Sequence, residues 1–280
     1  MHVHWQTFEQ DGQTVEAQVF HPDAPSQKLV LFCPGFPGLG AGMFEQRHAA
    51  ELVEHGFDVV VIKHAGTRLD NPLTPSAVNN AARLAQGRKN KETHLGGGPS
   101  TLVKWLREPA IALQTLHVNY ADIVVIGNSF GAVSALWSLT IGGAPTANIR
   151  TLLLMAGAQG LDNGPTGIMS IWQPTALSNP FIASVVTLDS PQSIHDTLKN
   201  AYADIADKAA SLPDHIVLKY LCVTADEILP RRFTDDFRAH LNNRGEIIMD
   251  DIDQAHPECA MRAHDTPDYP TDKLLELLNG

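Results

Sequence analysis

Cysteine is scarce in this chain: Cys33, Cys222 and Cys259 are the only three among 280 residues. Three thiols so far apart build no disulfide framework and contain no paired C-x-x-C, which fits a reduced, cytoplasmic setting. Long apolar runs are missing as well. Stretches such as Leu152 to Ala156 fall far short of the roughly 18 to 20 residues that cross a bilayer, so no membrane insertion is expected. Positive charge is in deficit, with 20 Lys and Arg against 31 Asp and Glu and a net charge of −11. That balance repels a phosphate backbone and argues against nucleic acid and anionic membranes as partners. The opening residues MHVHWQTFEQ have neither a basic start nor an apolar stretch before a cleavage site, so no secretory leader is expected. Repeats, low-complexity tracts and long linkers are absent too, and residues 1–280 read as a single domain.

What the chain does have is 44% hydrophobic residues against 18% charged, enough to bury a substantial core. Short aliphatic or β-branched runs occur at Lys28 to Phe32, Asp58 to Ile62, Ile123 to Ile126, Thr151 to Met155, Ile216 to Val223 and Glu246 to Met249. Stretches with helical spacing lie between them. This alternation predicts an α/β fold with a mainly parallel central sheet and helices on both faces. A further strand around Thr14 to Phe20 is expected to lie antiparallel at one edge.

Several helices carry their own punctuation. Phe44, Ala49, Leu52 and Val53 form one stripe that stops at His55-Gly56. Ser100 is placed to cap a helix carrying Leu102, Leu106, Ala110, Leu113 and Leu116, which Pro109 should kink or split. A helix from Arg231 to Asn242 and a last one starting near Thr271 complete the set. Two regions resist the scheme. Residues from Thr67 to Gly98 read as a long polar excursion above the sheet, broken by prolines and glycines. The interval 160–214, between the sixth and seventh core strands, is longer than one crossover helix needs and reads as an inserted cap or lid. It carries Ile168, Met169, Ile171, Trp172 and Phe181 as apolar cover for a pocket or as packing on the sheet edge.

The most informative stretch is ADIVVIGNSFGAVSA, from Ala121 to Ala135. It places Gly127-Asn128-Ser129-Phe130-Gly131 between a buried-type strand and a helix, which is G-x-S-x-G in the context that chemistry requires. A tight turn there projects the serine hydroxyl outward, and the helix that follows aims its positive end at developing negative charge. Gly127 and Gly131 make room for the turn, and Ala132 and Ala135 let the helix approach the sheet.

A serine hydroxyl needs a base, and the base needs an orienting acid. Asp226 follows the strand ending near Val223, where active sites of open α/β sheets lie, and His256 follows the last strand in Asp-Gln-Ala-His-Pro. Glu227 and Asp162 are alternatives for the acid, and His264 is an alternative for the base. An oxyanion hole needs two backbone donors. Phe130 supplies the first, and Phe36, in Cys33-Pro34-Gly35-Phe36-Pro37-Gly38, supplies the second, because Pro37 has no N–H to give.

Together these segments resemble the α/β-hydrolase superfamily from about Val15 to Leu278, with the Ser–Asp–His order carrying the likeness. The resemblance implies Ser129 as nucleophile, His256 as base, Asp226 as its acid, and Phe36 and Phe130 as oxyanion donors. Pro34-Gly35 stands where many members have His-Gly, and Asn128 where many have His or Asp before the serine. Neither change removes a required donor. The expected activity is that of a serine hydrolase acting on carboxylic esters of small to medium acyl compounds through an acyl-enzyme. An aminopeptidase-like amidase and an acyl thioesterase or transferase use the same parts, and a non-catalytic binding protein could keep the fold without turnover. No cofactor is required. Gly96-Gly97-Gly98-Pro99-Ser100 lacks the Gly-Lys-Ser/Thr of a phosphate loop. His256, Cys259 and His264 lack a recognised metal-ligand spacing, so no metal is expected.

Overall fold

A computed structural model describes residues 1–38, 40–65, 67, 100–157, 193–224, 226, 231–250 and 269–279. Eight strands form one sheet: β1 (His2–Gln10), β2 (Gln13–His21), β3 (Lys28–Cys33), β4 (Phe57–Lys63), β5 (Asp122–Asn128), β6 (Ile149–Met155), β7 (Val217–Val223) and β8 (Glu246–Asp250). Their spatial order is β1-β2-β4-β3-β5-β6-β7-β8. β1 and β2 run antiparallel to their neighbours, and from β4 onward every pairing is parallel.

The helices are α1 (Gly40–Phe44), α2 (Ala50–Glu54), α3 (Leu102–Leu116), α4 (Phe130–Thr140), α5 (Ser193–Asp207), α6 (Arg231–His240) and α7 (Thr271–Asn279), with a π turn at Glu45–Ala49 joining α1 to α2. Period-two alternation decides which face each strand residue enters. Along β5, Ile123 and Val125 join the core shared with α3, α4, α5 and α6, while Val124 and Ile126 join the core shared with α1, α2 and α7. Burial on both faces is why these strands read as unbroken apolar runs.

The parallel strands and the helix starting at Thr271 stand where the sequence places them. Three expectations need correction. The antiparallel strand at residues 13–21 is not the edge, because β1 pairs outside it in full register from His2↔His21 to Gln10↔Gln13. The two are joined by Asp11-Gly12, both at positive φ (50° and 73°), the hairpin turn that an Asp-Gly pair favours. The cap of α3 is Thr101 and not Ser100: the Thr101 side chain accepts the N–H of Lys104 at 3.4 Å. Nor does Pro109 split that helix. The Ser138 hydroxyl of α4 enters the gap, accepting the N–H of Ala110 at 3.2 Å and donating to the Leu106 carbonyl at 3.1 Å. A buried side chain thereby satisfies the two backbone groups that the proline turn separates.

Of the expected cap, residues 160–192 lie outside the described residues, as does the excursion from 68 to 99. Within the remainder, α5 lays Ala201 and Ile205 into the core beside α4, and Tyr202 meets Phe237 of α6 edge to face at 5.1 Å between ring centres.

Candidate active site

The crevice of an open α/β sheet forms where neighbouring strands send their connections to opposite faces, at the carboxyl ends. Here that point falls between β3 and β5, whose last paired residues are Cys33 and Gly127. A loop and a turn therefore meet: Pro34-Gly35-Phe36 after β3, and Ser129 between the end of β5 at Asn128 and the start of α4 at Phe130.

Ser129 links β5 to α4 with φ 51° and ψ −117°, a conformation that costs a non-glycine residue about 1–3 kcal/mol and is held from both sides. Its N–H donates to the Met155 carbonyl at 2.8 Å, and its carbonyl accepts the N–H of Ala132 at 3.0 Å. The tightness explains the glycines. A Cβ on Gly131 would overlap the Cys33 carbonyl, and one on Gly127 would stand 2.5 Å from the Gly131 carbonyl. A Cβ on Gly35 would lie 2.9 Å from Ser129 Cβ and 3.1 Å from the Asn128 carbonyl, so the β3 loop rests directly on the serine turn. Asn128 is buried, and its side-chain amide donates to the Met155 carbonyl at 3.3 Å.

Phe130 opens α4, so its N–H belongs to the first helical turn, where backbone donors have no partner within the helix. Asp226 lies three residues beyond the end of β7, at the same sheet edge, and is only 5% exposed. The buried Cys222 thiol of β7 sits 3.3 Å from the Thr234 hydroxyl, and burial pushes that thiol's pKa up. His256, the expected base, lies outside the described residues, as do Glu227, Asp162, His264 and Cys259.

The structure adds a cluster that lies outside the sequence motifs. His64, immediately after β4, is buried with its Nδ1 2.6 Å from Glu108 Oε2 and its Nε2 3.0 Å from the Pro34 carbonyl. The second carboxyl oxygen of Glu108 accepts the N–H of Ala65 at 3.0 Å. Trp105 stacks on the His64 ring at 4.3 Å and 5°, and Phe130 meets the same ring edge-on at 5.8 Å. Phe36 lies against Trp105 at 6.1 Å. Burial pushes the Glu108 carboxyl above its usual range, with His64 and the Ala65 N–H pulling the other way. The sequence held two signals for this cluster: a histidine at the carboxyl end of a buried strand, and a glutamate on the covered side of α3.

Among the described residues no group of His, Cys, Asp and Glu is arranged to hold a metal ion. None of the described helices is long and apolar enough to cross a membrane. A surface cavity of about 350 Å³ sits at the opposite end of the sheet, lined by residues that include His21, Asp23, Asp58 and Tyr120. There the buried Asp58 accepts the Tyr120 hydroxyl at 2.6 Å and stands 2.9 Å from His21 Nδ1.

No family model and no curated sequence matches the chain. Solved structures do resemble it. The thioesterase domain from the curacin biosynthetic pathway aligns over the whole of both chains with a TM-score of 0.55 at 10% identity. An esterase of Pyrococcus furiosus aligns over 94% of this chain and 91% of its own, with a TM-score of 0.55 at 14% identity. Est1E from Butyrivibrio proteoclasticus, solved with ferulic acid, aligns over 98% of this chain and 100% of its own, with a TM-score of 0.57 at 13% identity. The chain has the α/β-hydrolase fold.

Proposed function

We propose that this chain is a serine hydrolase of carboxylic esters, with Ser129 as nucleophile, His256 as general base and Asp226 as the acid that orients it. The observation that carries the reading is the backbone of Ser129, at positive φ on a strand-to-helix turn with Gly35 of the β3 loop packed against it. A strained turn of this kind persists only where its surroundings hold it, and it carries the serine outward at the sheet crevice. His256 removes the hydroxyl proton as Ser129 attacks the acyl carbonyl, and the alcohol leaves with that proton. The N–H groups of Phe36 and Phe130 stabilise the oxyanion, and water then releases the acid and regenerates the serine. With α5 packed in the core, the cap role falls to residues 160–192, whose apolar side chains favour small to medium acyl groups. The esterases among the structural neighbours support ester chemistry, and the thioesterase among them supports thioesters as a second substrate class.

The test is intact mass after exposure to a fluorophosphonate probe, run on wild type, Ser129→Ala and His256→Ala. One adduct in the wild type that is lost in both variants is the expected result. A folded wild type that takes no adduct and hydrolyses no activated ester overturns the reading.

A further inference from the structure

The His64–Glu108 pair lies outside the Ser–Asp–His set, yet it is among the least exposed polar arrangements among the described residues, with Glu108 showing no exposed surface and His64 2%. A carboxyl group on the covered side of a helix is costly to bury unless its hydrogen bonds are satisfied. Here they are: one oxygen faces His64 Nδ1, and the other accepts the N–H of Ala65. The ring is held as tightly as the carboxyl, between the parallel Trp105 indole and the edge of Phe130. Trp105 is itself fixed by the bond from its indole N–H to the Ala65 carbonyl at 3.2 Å. The turn that carries the histidine is closed by the Thr67 N–H and hydroxyl, both donating to the His64 carbonyl.

The Pro34 carbonyl, 3.0 Å from Nε2, can only accept, so Nε2 is the N–H donor there, while Nδ1 faces Glu108. That carbonyl belongs to the Pro34-Gly35 peptide plane. Gly35 is the residue pressed against Ser129, and Phe36, one residue on, carries the expected oxyanion donor. Pro34 has no N–H of its own, so its carbonyl is the one backbone hydrogen-bonding group by which this residue can be tethered.

We propose that His64 and Glu108 are positioning residues for the oxyanion loop: Glu108 fixes the tautomer and orientation of His64, and His64 holds the Pro34 carbonyl so that the Phe36 N–H faces the acyl oxygen above Ser129. This inference rests on the serine-hydrolase reading for its catalytic consequence, but the tether itself is a property of the loop. Trp105 completes the device: Phe36 and Phe130 both lie against its buried indole, at 6.1 and 6.3 Å between ring centres, so the residues of both expected oxyanion donors are braced on one ring. Neither His64 nor Glu108 exchanges a proton with substrate.

The test compares His64→Ala, His64→Gln, Glu108→Ala and Glu108→Gln by steady-state hydrolysis of a p-nitrophenyl ester, by thermal unfolding, and by amide hydrogen exchange of the peptide spanning residues 30–38. His64→Ala and Glu108→Ala are expected to lower kcat about 100-fold with KM nearly unchanged, as loss of one oxyanion donor does. The same two variants should speed exchange in that peptide while peptides from β6 and β7 stay as in wild type. Glu108→Gln keeps a donor toward Nδ1 and an acceptor toward the Ala65 N–H, and His64→Gln keeps an N–H near the Pro34 carbonyl. Both should recover most of kcat and protection. Unchanged kcat and unchanged exchange in His64→Ala overturn the proposal, as does a Glu108→Gln protein as impaired as Glu108→Ala. If His64→Ala fails to fold, the Glu108 pair decides. If wild type hydrolyses no ester and takes no fluorophosphonate, the serine-hydrolase reading has failed, and the exchange contrast alone upholds or overturns the tether.

Discussion

Gly35 and Ser129 are in such close contact that a methyl group on Gly35 would stand 2.9 Å from Ser129 Cβ, closer than side-chain carbons pack. The loop after β3 and the turn after β5 are thus one mechanical unit, set by the pairing of Cys33 with Gly127 at the ends of two adjacent parallel strands.

A Gly35→Ala substitution pushes the loop away from the serine turn, because its Cβ would meet both Ser129 Cβ at 2.9 Å and the Asn128 carbonyl at 3.1 Å. Displacement of the Phe36 N–H by a fraction of an ångström to 1 Å should lower kcat about 10- to 100-fold. Steady-state kinetics beside a thermal melt would check this, and wild-type kcat in the variant would contradict it.

Ser138→Ala leaves the Ala110 N–H and the Leu106 carbonyl facing one another across the opening at Pro109 without the hydroxyl between them. Both groups are buried, and the expected loss is about 1–3 kcal/mol of unfolding free energy with activity retained by the folded fraction. Urea denaturation measures it. A change within about 0.3 kcal/mol would mean that the helix re-closes on its own.

Glu108 makes stability pH-dependent in a definite direction. In the unfolded chain its carboxyl ionises near the ordinary value of 4.5, whereas burial in the folded protein holds the proton to higher pH. Stability from this group is therefore complete below about pH 4.5 and declines as pH rises from there through the folded-state value. Glu108→Gln cannot ionise. Across that window the variant should gain on the wild type by up to about 1.4 kcal/mol per pH unit. Urea midpoints at several pH values from 4 to 8 read this out, and a difference independent of pH would refute it.

The two described thiols are shut away. Cys33 is 1% exposed and Cys222 3%, and burial pushes both pKa values above the ordinary thiol range, most strongly for Cys33, which also feels the charge of Glu108. Thiolate is the reactive form, so both peptides should stay unmodified by iodoacetamide at pH 8 in the native state and become alkylated in urea. Rapid native labelling at Cys33 would show that the strand leading into the Pro34-Gly35 loop opens.

Much of the frame is written locally. Each parallel strand appears in the sequence as an unbroken aliphatic run, because both its faces are covered. The stripe Phe44, Ala49, Leu52 and Val53 and its stop at Gly56 need only helical spacing and a glycine at positive φ. Ser129 is legible for a similar reason: a strand, two glycines flanking a serine and a helix of small residues are all within fifteen positions. β1 was legible in principle, since Asp11-Gly12 is a hairpin turn, but its largely exposed alternation is a weak apolar signal.

The sequence by itself determined the layering, the parallel order of runs and helices, the serine turn, and an acidic residue after the seventh strand, because each depends on residues close together along the chain. Only the tertiary structure decided that Ser138 repairs the opening at Pro109, that Gly35 rests on Ser129, and that His64 joins Glu108 to Pro34. Those partners lie 28, 94, 44 and 30 residues apart, respectively, counting Ser138 to Ala110, Gly35 to Ser129, His64 to Glu108 and His64 to Pro34. No local pattern encodes such distances. A glutamate among leucines or a histidine after a strand acquires its role only when packing brings its partner within hydrogen-bond reach and removes the water that would otherwise serve in the partner's place.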